Sequence, residues 1–327
     1  MKPSLTVAIY GAGQVGRTVA GLLSSDAGYS VRGPFDRSHR AAALESGADV
    51  VVIATTSFLA EVAADIRAAV MAGSNVITTA EEAAYPWHYD EELARDLHTL
   101  ALENEVTILG AGFNPGFAFD ALALTASGVV PQVTSLRVER VVDLSGFSAT
   151  ILRRLGIGYS AAEFDAGIDS GSITGHIGFP QSMRIVARQM GVFISEIQRS
   201  IHPIAAEGPY DLPACSILPG QSAGFRQRYV AIAEGRAWFD ALFIGHVDPV
   251  AAGFPTRDEI IVHSESGDVH LAIKPGINPQ VGSSSVIANS IRRLVTAPPG
   301  WLTVADLPPA CPASDAASAI SAAPGRR

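Results

Sequence analysis

"VAIYGAGQVGR", residues 7–17, runs a short β-type segment into three glycines spaced G-x-G-x-x-G and from there into a helical pattern. In such a turn Gly11 permits the tight reversal and Gly13 lets backbone approach a pyrophosphate. Gly16 lets helix and strand pack closely, and the helix start offers N–H donors and the positive end of its dipole. Asp36 follows Gly16 by twenty residues, at the end of the next expected strand, from which an acid reaches a ribose hydroxyl. The stretch therefore reads as a dinucleotide-binding turn, with Gly11, Gly13, Gln14, Val15 and Gly16 around the phosphates, rather than as a purely structural glycine turn.

The neighbours of Asp36 bear on which dinucleotide is taken. "DRSHR", residues 36–40, adds Arg37, Ser38 and Arg40, groups suited to a ribose 2′-phosphate. Asp36 alone favours NAD, whereas Arg37 and Ser38 favour NADP. The expectation is NADP preference or dual use of NADP and NAD. FAD fits less well, because no second long nucleotide-contacting segment is visible.

Outward from this turn, residues 4–120 alternate β-branched runs with helical patterns: strands at "LTVAIY", "YSVRGPF", "DVVVIATT", "NVITT" and "VTILGAG", and helices across 14–24, 58–72 and 90–104. That alternation predicts an α/β, Rossmann-type, doubly wound parallel sheet. Near residue 133 the pattern changes to period-2 alternation, in "VTSLRVERVVD", "QRYVAIAEGRAWFDALFIGHV" and "EIIVHSESGDVHLAIKP", which predicts a second α+β domain with a largely antiparallel sheet. "SSSVIANSIRRLVTAPPG", 283–300, has helical spacing ended by Pro-Pro-Gly and is expected to return to the first domain. The domains are thus read as 1–120 for NAD(P), 121–275 for substrate and dimerisation, and 276–308 for the returning helix. The Pro-, Ala- and Ser-rich tail, 309–327, is expected to be disordered.

Composition narrows the partners. The 327 residues are 48% hydrophobic and 17% charged, enough for a large core, with a net charge of −9 and a pI near 5.3. The cations include only two lysines, Lys2 and Lys274, and the arginines form no basic stripe, so neither nucleic acid nor an anionic membrane is an expected partner. Cys215 and Cys311 lie far apart without metal-ligand spacing, so no metal site or disulfide framework is indicated. With no signal sequence and no apolar run of membrane-spanning length, the expectation is a cytoplasmic protein.

Three predicted strand ends, "ATTS" (54–57), "TTAEE" (78–82) and "GAGFNPGF" (110–117), fall where an open α/β sheet binds its ligands. Thr55 and Thr56 are placed along the dinucleotide. Asn114 is aimed at the nicotinamide carboxamide or ribose, or caps a helix opening at Pro115 and Gly116. Glu81 and Glu82 are the chemical candidates, set against the blander reading of two acids in a solvated first helical turn. A carboxylate at such a place can stabilise a developing cation and move protons.

Taken together, "GAGQVG", "ATTSFLAEV", "NVITTAEEAAYPW", "GAGFNPGFAFDAL" and "GHIGFPQS" resemble the native amine dehydrogenases and 2,4-diaminopentanoate dehydrogenases, which carry a dihydrodipicolinate-reductase-like N-terminal Rossmann domain. The resemblance extends to "PGWLTVADLPP" at 299–309. Homoserine dehydrogenases have a lysine at the acid-bearing strand end and dihydrodipicolinate reductases a His-His-x-x-Lys run; this chain has neither, and its two lysines leave no plausible Schiff-base residue. The resemblance implies a glutamate that holds the reacting nitrogen and places it on Glu82, with Glu81 the less favoured bearer. It also implies that His176 lines the substrate pocket, against the alternative of a surface loop histidine.

Arg140 is read either as a bidentate partner for a substrate carboxylate or as the partner of Asp143 or Glu139. Val142, Leu144, Phe147 and Ile177 make the expected pocket hydrophobic. The resulting expectation is a homodimer that joins ammonia to a ketone or aldehyde at the expense of NAD(P)H and deaminates primary amines in reverse. The alternatives are a 2,4-diaminopentanoate dehydrogenase and, in another class, a noncatalytic dinucleotide sensor.

Overall fold

The computed structural model describes residues 4–312. The tail expected to be disordered lies, from residue 313 on, outside the described residues.

The first sheet is built from β1 (Leu5–Tyr10), β2 (Tyr29–Phe35), β3 (Val50–Ile53), β4 (Asn75–Thr78) and β5 (Thr107–Gly110), with α1 (Gln14–Ser24), α2 (Arg40–Leu44), α3 (Leu59–Met71) and α4 (Glu91–Glu103) between them. β3 and β5 are buried along their whole length, which is why they read as continuous apolar runs without alternation. The order is β14-β5-β4-β3-β1-β2 with every pair parallel, the sixth strand, β14 (Gly300–Leu302), coming from the far end of the chain. Leu44, Val62, Ile66 and Leu97 cover one face of this sheet, and Val19, Leu23, Ile287 and Ile291 cover the other. The second of these layers includes α9 (Pro279–Leu294), so the chain returns to the first sheet to complete it. The order reverses between β1 and β3, and at such a switch point the loops diverge to leave a crevice above the strand ends.

The second sheet comprises β6 (Ser135–Asp143), β7 (Glu196–Ala205), β10 (Ser222–Ala233), β11 (Arg236–His246), β12 (Arg257–His263) and β13 (Val269–Ile273), in the order β13-β12-β6-β11-β10-β7. Only the β6–β11 pair is parallel. Inward-facing Val138, Phe225, Tyr229, Phe239 and Val262 form its core with Ala123, Leu152, Phe164, Phe179 and Met183 from the helices α5 (Ala121–Ser127), α6 (Ala149–Arg154), α7 (Ala161–Ser170) and α8 (Phe179–Met190). A small hairpin of β8 (Tyr210–Asp211) and β9 (Ser216–Ile217) projects beside it. The architecture is therefore a Rossmann-type parallel sheet joined to a mixed, mostly antiparallel one, as the two periodicities predict.

One local expectation fails. No helix opens at Pro115 and Gly116; α5 begins only after Asp120. Gly116 sits at φ +125°, outside helical space, and donates its N–H to the fully buried Asp120 carboxylate. That carboxylate also accepts from the Ala121 N–H and the Ser182 hydroxyl, so Asp120, not Asn114, is the cap, and it ties α5 to α8.

Candidate active site

Two connected cavities open above the carboxyl ends of the first sheet. The larger, about 540 Å³, is lined by Gly13, Gln14, Val15, Thr55, Thr56 and Asn114. Six of the expected dinucleotide contacts thus face one space. Gly11, at φ +127°, lies against Ala54, where a Cβ would approach its carbonyl oxygen to 2.3 Å, and a Cβ on Gly16 would meet the Gly11 oxygen at 1.9 Å. Gly13 differs, since a Cβ there meets nothing within 4 Å. Two glycines close the turn and the third leaves an open cradle at the start of α1, which is the fit a pyrophosphate requires.

Gly13 is in extended conformation at the N-cap position of α1 (φ −74°, ψ −175°), so Asp is tolerated there and is a better cap than Gly. Gly13→Asp is therefore expected to fold with a melting temperature equal to or above the wild type, while its carboxylate, aimed into the cradle, weakens NADPH binding by at least ~100-fold. Titration of NADPH fluorescence beside a thermal melt checks both; wild-type affinity in the variant would remove the cradle from the site.

The 2′-phosphate candidates separate. Asp36 Oδ1 accepts from the Ser38 N–H at 3.0 Å and its hydroxyl at 2.6 Å and lies 3.0 Å from His39 Nδ1; these bonds hold the Asp36 carboxyl down at about 2. Arg37 and Ser38 are exposed beside it. Arg40 is already engaged: it opens α2, and its guanidinium reaches the Asp65 carboxylate at 2.6 Å and the Ala64 carbonyl at 3.3 Å on α3.

The smaller cavity, about 260 Å³, adjoins the first through Ser57, Glu81, Phe113, Asn114 and Arg154. Its walls include all six expected substrate-pocket positions, Arg140, Val142, Leu144, Phe147, His176 and Ile177. The lining is largely apolar, yet it holds polar atoms that the protein leaves unpaired: Glu81 Oε2, both amide atoms of Asn114, and His176 Nδ1 are buried with no hydrogen-bond partner among the described residues. Buried polar groups without partners are costly and uncommon, and three residues around one space indicate a ligand that satisfies them.

Glu81 faces both cavities, whereas Glu82 lines neither. After β4 the chain enters a 3₁₀ turn over Glu81–Ala84, which rotates successive side chains by about a third of a revolution. Glu82 is carried round to the start of α3, where its Oε2 accepts the Leu59 N–H at 2.7 Å. Burial pushes the Glu81 carboxyl up to about 7, opposed by the Ser57 hydroxyl and the positive field of Arg154. Glu82 is also raised by burial, with the Leu59 N–H working against it.

Arg140 is buried at 2% exposure and is already spoken for. It pairs with Asp258 at 2.5 Å, donates to the Ile277 carbonyl at 2.8 Å and lies 4.3 Å over the Phe113 ring. Neither Asp143 nor Glu139 is its partner: Glu139 points to the opposite face of β6, toward Arg137 and Arg257. The cation available to both cavities is instead Arg154, at the end of α6, its guanidinium 5.2 Å over the Phe58 ring. Sequence reasoning passed over Arg154 and the neighbouring Ile151 and Leu155; the only signal was that these three share one helical face. His176 stands between Phe243 (4.8 Å) and Phe179 (5.3 Å), and burial, aided by the Arg140 charge, pulls its imidazole down to about 3, so the ring is neutral.

The second part of the chain, residues 117–322, matches the model of the 2,4-diaminopentanoate dehydrogenase C-terminal domain. A curated 2,4-diaminopentanoate dehydrogenase from Acetoanaerobium sticklandii is 31% identical over 265 residues, 81% of this chain and 75% of that protein. The chain belongs to the 2,4-diaminopentanoate dehydrogenase family. Membership in this family accords with the resemblance carried by the glycine turn, the acid pair and the "GHIGFPQS" loop. Among solved structures, the amine dehydrogenase from Mycobacterium smegmatis superposes with a TM-score of 0.82 over 95% of this chain and 98% of its own, at 21% identity, which establishes a common fold. No helix among the described residues is long and apolar enough to cross a membrane.

Proposed function

We infer that this member of the 2,4-diaminopentanoate dehydrogenase family is an NAD(P)-dependent oxidoreductase that forms primary amines from ketones or aldehydes and ammonia, and deaminates them in reverse. The observation that carries the reading is Glu81, whose unpaired carboxyl oxygen stands where the glycine-lined cavity meets the apolar one, with burial raising the carboxyl to about 7. Gly13, Gln14, Thr55 and Asn114 would hold the dinucleotide, whose nicotinamide, when bound, gives or takes the hydride. The protein's own part is to bind the carbonyl among Val142, Leu144 and Phe147, where ammonia adds to it and the carbinolamine hydroxyl leaves as water, which the reverse direction takes up again. Glu81 then holds ammonia and stabilises the iminium charge. It accepts a proton from the ammonium group of an amine substrate, which must be neutral before it can be oxidised.

In this reading the role that the resemblance placed on Glu82 falls to Glu81. A homodimer in the cytoplasm remains part of the proposal and is read by sedimentation and by localisation of a tagged chain.

A second reading, oxidation of 2,4-diaminopentanoate itself, is favoured by Arg154. With Arg140 neutralised by Asp258, Arg154 is the cation left for a substrate carboxylate. Following NADH and NADPH consumption at 340 nm with cyclohexanone, short aldehydes and short ketones, with and without ammonia, tests the first reading. Ammonia-dependent consumption supports it, and consumption without ammonia replaces it by carbonyl reduction. Silence with every carbonyl but oxidation of 2,4-diaminopentanoate selects the second reading, and silence in both leaves a dinucleotide sensor.

NADP is the cofactor this proposal favours, on the strength of Arg37 and Ser38, with NAD accepted through Asp36. Arg37→Ala is expected to raise KM for NADPH ~10-fold or more, one charge-assisted bond to phosphate, with KM for NADH unchanged. Equal KM changes for both would take Arg37 off the 2′-phosphate.

A further inference from the structure

The loop 174–178 that carries His176 into the cavity has no strand partner, yet its backbone is held from three sides. The Thr174 N–H donates to the Arg154 carbonyl at 3.0 Å, and Arg199 of β7 donates to the Thr174 carbonyl at 2.9 Å. At His176 both backbone groups are taken by one side chain: the His176 N–H donates to Gln227 Oε1 at 2.8 Å, and Gln227 Nε2 donates to the His176 carbonyl at 3.0 Å. Gln227 is completely buried on β10, between Phe243 of β11 and Ile201 of β7. Its amide makes the two bonds that an adjacent strand would make, and it does so at the one loop residue whose side chain reaches the substrate cavity with an unpaired nitrogen. Gly175, at φ +62°, presses against it so closely that a Cβ would lie 2.7 Å from Gln227 Oε1.

We propose that Gln227 is a positioning residue for substrate binding: by clamping the His176 backbone it fixes the neutral imidazole on the cavity wall, where Nδ1 hydrogen-bonds a polar group of the substrate. The proposal rests on the assignment of this cavity to the substrate. Asn and Ser are too short to bridge both backbone groups, and an aliphatic residue would leave the pair buried and unsatisfied.

The test exploits a near-isostere. In Gln227→Glu the protonated carboxyl reproduces both bonds, whereas the ionised carboxylate turns an acceptor toward the His176 carbonyl and repels it. The groups around position 227 are the neutral His176, Tyr229 on the same strand, Arg199 over the Tyr229 ring and, beyond His176, Arg140 of β6. Burial raises a carboxyl here, so the switch falls above the ordinary carboxylate range. KM for the carbonyl in Gln227→Glu should match the wild type at the acidic end of the stable range. It should climb ~10–100-fold as pH rises, with kcat and the Kd for NADPH following the wild-type profile. Over the same range the ring resonances of His176 should shift and broaden in the variant alone. Gln227→Leu should show the raised KM at every pH.

A Gln227→Glu profile superimposable on the wild type, or a wild-type KM in folded Gln227→Leu, overturns the proposal. Should Gln227→Leu fail to fold, the pH profile of Gln227→Glu still decides. If no carbonyl is turned over by the wild type, the functional reading has failed. The His176 resonances then judge the clamp separately, and resonances indifferent to pH in Gln227→Glu would sink it.

Discussion

Glu81→Gln is expected to lower kcat for ammonia-dependent NADPH oxidation by ~10²–10⁴-fold, the usual share of a positioned acid–base group, while leaving the Kd for NADPH unchanged. Glutamine keeps the shape and one acceptor oxygen but can neither carry the charge that stabilises an iminium nor accept a proton. Glu82→Gln should retain wild-type kcat within a few-fold, because that side chain is occupied at the start of α3. The reverse outcome, Glu82→Gln dead and Glu81→Gln active, would return the role to Glu82.

The pH dependence adds a second reading of the same variant. With the Glu81 carboxyl at about 7, amine oxidation by the wild type should rise as pH passes through neutrality, and Glu81→Gln should lose that limb. Stability moves the other way. Because the folded-state pKa lies above the unfolded value of 4.5, the folded protein holds the extra proton between about 4.5 and about 7. The contribution of Glu81 to stability therefore declines with rising pH across that window and levels off above it. Glutamine has no charge to desolvate, so the variant should melt higher than the wild type at pH 8 and equally at pH 4.5 or below. A difference of the same size at both pH values would mean that Glu81 is not the buried, raised group described above.

How much of the site is legible in the sequence depends on the range of the interactions involved. The glycine turn is local: strand, turn and helix lie within eleven residues, and Gly11 and Gly16 have a steric reason while Gly13 leaves the cradle open. Its position, and those of α1, α3 and α4, follow from the sequence to within a residue or so. The choice between Glu81 and Glu82 is also local, but it turns on a 3₁₀ turn that no periodicity announces. β14 is three residues long, and what makes "GWL" a strand is the edge of β5, nearly two hundred residues earlier. The partners of Arg40 and Arg140 are hidden for the same reason: their acids, Asp65 and Asp258, lie on other elements, the second 118 residues away. Arg154 carries no motif and becomes visible only once α6 folds against both cavities.

The Arg140–Asp258 pair carries the largest expected effect on stability. Both side chains are about 2% exposed, so removing one strands the other charge in an apolar wall. Asp258 does more than pair, since its second oxygen accepts the Ile277 N–H at 2.9 Å while Arg140 donates to the Ile277 carbonyl, and the two together pin the chain just before α9. Asp258→Ala is expected to lower the free energy of unfolding by ~3–5 kcal/mol, read by urea denaturation. The double variant Arg140→Met, Asp258→Leu should recover part of that loss, because it buries neither charge and returns apolar volume to the wall beside Phe113, while the Ile277 N–H and carbonyl lose their partners. Burial raises Asp258 and lowers Arg140, while each holds the other ionised. A single variant within ~1 kcal/mol of the wild type would show that water reaches the pair, and Arg140 would then be available to a substrate carboxylate after all. Recovery in the double variant, with ammonia-dependent turnover intact, would separate the two arginines of the cavity: Arg140 would hold the wall and Arg154 would face the substrate.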